Sequence, residues 1–98
     1  MSLPVTFHRA ARAEFIAAAA CYEAQRPDLG AEFIAEIERC VALAAEQPQI
    51  YAVVRANTRR ITAHRFPFSL YFRAESRRII VLAVFHGSRD PMIWQRRE

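Results

Sequence analysis

The sequence has no lysine, only two glycines and two cysteines, and no apolar run approaching the length of a membrane span. Each shortage excludes something. A membrane-crossing helix needs about 20 predominantly apolar residues. No charged start followed by an apolar segment and cleavage site opens the chain either, so a cytoplasmic location is expected. Two glycines and five prolines leave little material for linkers, and no segment is low in complexity, so disorder is expected only at the chain ends. Ninety-eight residues, 53% of them hydrophobic, suffice for one modest core, and residues 1–98 read as a single domain.

Cys21 and Cys40 are poor candidates for a disulfide. If their segments are antiparallel helices joined near Pro27, the two positions are offset along the axis by roughly 10 Å at 1.5 Å per residue, too far for a bond spanning about 5–6 Å between Cα atoms. Buried, reduced thiols are the expectation.

With lysine missing, all fourteen basic residues are arginines, and they are unevenly placed. Residues 1–54 carry four arginines against seven acids, a balance of −3, whereas residues 55–98 carry ten against three, a balance of +7. The second half is therefore the candidate surface for an anionic partner, either nucleic acid or an acidic peptide.

Hydrophobic periodicity changes along the chain. Pro4 to Arg9 alternates, with Val5 and Phe7 on one face, as in a short strand. From Ala10 to Gln25, Phe15 and Tyr22 share a helical stripe with Ala11, Ala18 and Ala19. Arg26-Pro27-Asp28 interrupts this helix, because proline restricts the residue before it and donates no hydrogen bond. Asp28 is expected to cap a second helix, with Glu32 in its first turn. Phe33, Ile37, Val41 and Ala44 form that helix's stripe, widened by Ile34 and Leu43, until Gln47-Pro48 closes it. Strand-like segments follow at Arg60–Phe66, Ser69–Arg73 and Arg78–Phe85, with Pro67 at a turn or bulge. The last of these is nearly continuous in apolar residues, the pattern of a central strand covered on both faces. Gly87 to Glu98 is basic and is expected to end as a short helix or an ordered flap. The predicted order is β-α-α-β-β-β: an α+β fold with a helical hairpin on a small, antiparallel-rich sheet, the first strand lying at an edge or beside the last.

That order resembles the RelE/ParE toxin family of type II toxin-antitoxin systems. The resemblance is carried by His64-Arg65-Phe66-Pro67-Phe68-Ser69-Leu70-Tyr71-Phe72-Arg73 and by Val81-Leu82-Ala83-Val84-Phe85-His86-Gly87-Ser88-Arg89-Asp90-Pro91. Tyr22-Glu23, Leu29-Gly30, Gln47-Pro48 and Trp94 extend it over nearly the whole chain. It implies a cognate antitoxin as partner and one of two targets: mRNA on the ribosome for RelE-like members, DNA gyrase for ParE-like ones.

Cleavage of RNA through its 2′-hydroxyl needs a base, an acid for the leaving oxygen and cations around the phosphate. The lysines of the RelE pattern are missing, Ser69 stands where those nucleases often keep an arginine, and Trp94 and Gln95 stand where a tyrosine is expected. What remains is Arg60, Arg65, His86 and Arg89: His86 as base with Arg65 and Arg89 as phosphate clamps. A histidine before a glycine at a strand end more often hydrogen-bonds backbone, however, and Arg89 has a competing role in pinning the tail to an acid. Arg59, Arg60, Arg73, Arg77, Arg78 and Trp94 make up the candidate surface for target or antitoxin. Trp94 and the Phe66–Phe68 pair read as packing rather than as a base-stacking platform. His8 and His64 have no Cys or acid at ligand spacing, so no metal site is expected, and no cofactor is implied. The expectation is a ParE-like toxin acting by binding, with a ribosome-dependent endoribonuclease as the alternative.

Overall fold

A computed structural model describes residues 2–98. The chain runs through β1 (Val5–Phe7), α1 (Arg9–Gln25), α2 (Leu29–Glu46), a 3-10 turn (Pro48–Ile50), β2 (Val53–Arg55), β3 (Thr58–Thr62), β4 (Phe68–Ala74), β5 (Ile79–His86) and the short α3 (Met92–Gln95). The five strands form one sheet in the order β1-β5-β4-β3-β2. β1 lies parallel to β5 at one edge, and the other pairings are antiparallel. The α+β fold is as expected, with one strand more than predicted. Val53–Arg55 is exposed throughout and pairs only with β3, so no alternation of buried and exposed residues marks it. The strand predicted at Arg60–Phe66 starts earlier and ends at Thr62, because Arg65 turns the chain with a φ of 70°.

The helical hairpin packs on one face of the sheet. Phe33, Ile37, Cys40 and Ala44 form the buried stripe of α2, their spacing bringing each over the previous turn. Ile34, placed in that stripe from sequence, is instead exposed. The rings of Phe15, Tyr22, Phe66 and Phe68 surround Phe33 with centroids 5.0–6.0 Å away, the separation at which edge-to-face pairs are favourable. Gly30 lets the hairpin close: a Cβ there would lie 2.6 Å from the carbonyl oxygen of Ala19, so any side chain would force the helices apart.

Helix capping differs from expectation. Asp28 occupies the N-cap position of α2, but at a φ of 71° its side chain makes no capping bond. The Glu23 carboxylate does this work from α1, accepting the N–H groups of Asp28 and Gly30, each at 3.0 Å. His8 caps α1, its Nδ1 accepting the N–H of Ala10 at 3.1 Å. Both cysteines are free, but only Cys40 is buried, so the expectation of two buried thiols fails at Cys21. Burial pushes the Cys40 thiol up to about 11, which keeps it protonated and unreactive.

A bulge in β5 explains its apolar run. Tyr71 pairs with Ala83 and Phe72 with Val81, leaving Leu82 as an extra residue and shifting the alternation. Val81 and Val84 then belong to the core under the helices, while Ala83 and Phe85 join Trp94 and Tyr71 in a second cluster. The strand is covered by helices on one side and by the C-terminal segment on the other.

Candidate functional site

The pairing register builds the site across the sheet. Arg55 of β2 stands opposite Thr58 of β3, which stands opposite Arg73 of β4. Two residues along, Arg60 pairs with Tyr71, which pairs with Ala83. Since alternate residues of a strand share a face, Thr58 and Arg60 project to the side away from the helices, where Tyr71 meets Trp94. Arg60 and Arg73 thus occupy one face because the residues alternating with them, Ile61, Leu70 and Phe72, are claimed by the helical core, whereas Arg59 projects to the other side with Ile61.

The C-terminal segment crosses that face. Trp94 is 3% exposed and stacks on Tyr71 with centroids 4.2 Å apart, and its Nε1 has no hydrogen-bond partner among the described residues. Further on, Arg97 reaches the edge of β5 that the three-residue β1 leaves open. It donates to the carbonyl of Leu82 at 3.0 Å and to Glu14 at 2.7 Å, while Glu14 accepts the N–H of Val84 at 3.2 Å. This ion pair, with both side chains only 11% exposed, stands in for the missing strand and satisfies main-chain groups that burial would otherwise leave orphaned. At the far end, Glu98 accepts from Arg55 at 2.7 Å and from the hydroxyl of Thr58. Burial opposes the charge on Glu98, but the hydrogen bonds from Thr58 and Arg55 outweigh it and hold the carboxyl below its ordinary range.

The residues singled out from sequence divide into two groups. Arg60, His86, Arg89 and Trp94 line a common cavity of about 250 Å³ with Tyr71 and Phe85. Arg65 lines neither this cavity nor the neighbouring one that His86 shares with Arg89. It lies over the Phe66 ring and pairs with Glu32 of α2 at 2.7 Å. Arg65 and then Arg26 hold the Glu32 carboxyl below its ordinary range. His86 turns its Nδ1 to the N–H of Ser88 at 3.0 Å and to the Ser88 hydroxyl at 2.8 Å. Arg89 pairs with Glu14 at 3.1 Å and lies over the Phe85 ring. Arg59 donates to the carbonyls of Gln49 and Tyr51 and so ties the loop before β2 to the sheet. Arg73 and Arg78 both reach Glu75, whereas Arg60 and Arg77 have no acidic partner among the described residues. No cluster of three potential metal ligands occurs among them either, and no helix is long and apolar enough to cross a membrane.

Glu14, Arg55, Thr58, Arg97 and Glu98 escaped the sequence reading. Only Glu14 carried a signal there, as the lone acid in the alanine-rich first three turns of α1.

A helical pair packed on a largely antiparallel sheet, with this strand order, is the fold of the RelE/ParE superfamily. A solved structure described as "Chromosomal ParDE TA system from P. aeruginosa" superposes with a TM-score of 0.75 at 21% identity, covering 87% of this chain and 96% of that one. Residues 5–91 match the family model described as "ParE toxin of type II toxin-antitoxin system, parDE", and the chain belongs to that family. No curated protein matches it.

Proposed function

We propose that this ParE-family toxin acts by binding, inhibiting DNA gyrase while free and being neutralised when a cognate antitoxin covers it. The observation that carries this reading is the commitment of the nuclease candidates to structural partners. Arg65 is paired with Glu32 away from the cavity, Arg89 is paired with Glu14, and His86 directs Nδ1 into its own turn. A phosphate clamp needs cations free to turn toward charge as it develops; two of the three are neutralised in place. For the antitoxin, the hairpin offers an apolar strip: Ile16 is 63% and Ile34 38% exposed, and together with Phe15 and Ala19 they line a shallow groove. Exposed aliphatic side chains grouped in this way favour a protein partner.

One observation favours the alternative, a ribosome-dependent endoribonuclease. Arg60, with no acidic partner, shares the cavity of His86 and Arg89, so a phosphate entering it would meet a histidine and two guanidinium groups. Purified toxin separates the two readings. Inhibition of gyrase supercoiling, with mRNA intact in a translating extract and no effect of His86→Ala on either result, is the expected outcome. Codon-positioned cuts in the mRNA that disappear in His86→Ala would instead assign the protein to the nucleases.

A further inference from the structure

We infer that Arg55, Thr58 and Arg73 form a carboxylate-binding site that the chain occupies with its own Glu98, and that an acidic peptide segment of a partner takes over this site when it binds. The three residues stand in one row across β2, β3 and β4. Each aims a donor at Glu98: Arg55 Nε at 2.7 Å and the Thr58 hydroxyl at the carboxylate, and Arg73 at the main-chain oxygen, 3.5 Å away. Thr58 is the only buried polar residue among those described, 1% exposed, and the Glu98 carboxylate satisfies its hydroxyl. Charge-assisted hydrogen bonds of this kind are the strong ones.

The surroundings select the ligand. Arg60, one row along on the same face, has no acidic partner among the described residues, so positive charge continues beyond the occupied row. A peptide suits this face better than a nucleic acid. The large aromatic that a base could stack on, Trp94, is buried against Tyr71, and the segment already lying there is a polypeptide that offers a side-chain carboxylate and a main-chain oxygen together. The inference does not depend on which target the toxin has.

A site held closed by an intramolecular ligand nine-tenths of the time binds an external one about tenfold more weakly. The test uses the full-length chain and a fluorescent peptide of alternating glutamate and serine, with binding read by anisotropy. Glu98→Gln is expected to tighten binding about tenfold. Glu98→Asp, which keeps the charge but shortens the reach, is expected to tighten it less. Glu46→Gln makes the same change in net charge on an exposed residue at the end of α2 and should leave affinity unchanged; adding Arg55→Gln to Glu98→Gln should erase the gain. The proposal falls if neither Glu98 variant tightens binding, if Glu46→Gln tightens it equally, or if the gain survives the loss of Arg55. It falls too if an oligothymidylate of equal charge gains as much as the peptide, which would assign the face to nucleic acid.

Discussion

The two faces of the sheet are held by different physics. Under the helices, Phe33, Ile37, Leu70, Phe72 and Val81 are fully buried, and stability there is spread over many apolar contacts, each small and none directional. On the opposite face the C-terminal segment is fixed by one aromatic stack and by ion pairs that engage particular atoms: Arg97 and Arg89 on Glu14, Arg55 on Glu98. Each kind of force suits a different task. Dispersed apolar packing makes a face permanent, whereas a few charged contacts give a face that another charged segment is able to reproduce.

If that contrast is right, damage to the helical face should cost the most. Phe33→Ala removes the ring at the centre of the aromatic cluster and is expected to lower unfolding free energy by about 4 kcal/mol, as large-to-small core changes do, measured by urea denaturation. A loss under 1 kcal/mol would mean that the helices are not what holds the sheet. At the edge of β5 where the C-terminal segment meets α1, Glu14→Ala strands Arg97 and Arg89 and leaves the Val84 N–H without its acceptor. Breaking a largely buried pair costs about 3 kcal/mol, and the contrast sharpens if amide exchange accelerates at Val84 more than in α2. Unchanged protection at Val84 would show that the ion pair is not the strand substitute described above.

The smallest effect lies at the rim of the helical face. Hydrogen bonds from Arg39, opposed by burial and aided by the His64 N–H, pull the Glu36 carboxyl down to about 2 from 4.5. Because the folded-state value is the lower one, its stabilisation is complete above about 4.5 and is lost as pH falls toward about 2. Glu36→Gln should therefore flatten part of the acid limb of the stability curve in that window and leave neutral pH less affected than Glu14→Ala does. An unaltered acid limb in Glu36→Gln would remove Glu36 from the account.

Much of the fold was legible along the chain. The stripe of α2, the proline stops at Pro27 and Pro48 and the doubly covered β5 are all local patterns, and local patterns report periodicity directly. β2 was not legible, since an edge strand exposed throughout has no alternation to read. Nor was the cap of α2, because Glu23 performs it from the preceding helix across a joint whose backbone turns through a left-handed Asp28. Of the candidate site, Arg60, His86, Arg89 and Trp94 were named along the chain and do converge, whereas Arg65 does not; Glu14, Arg55, Thr58, Arg97 and Glu98 were not legible, because their partners lie far away in sequence.

The α+β architecture, the family and the concentration of arginine in the second half are all written in composition and short-range spacing, and so can be read along the chain. Which arginines are spent on structure and which face outward emerges only once the chain has folded. That outcome depends on pairs such as Glu14 and Arg97, 83 residues apart, and on a strand register that puts Arg55, Thr58 and Arg73 in one row. Charge acts through distance in space, and distance along the chain does not report it.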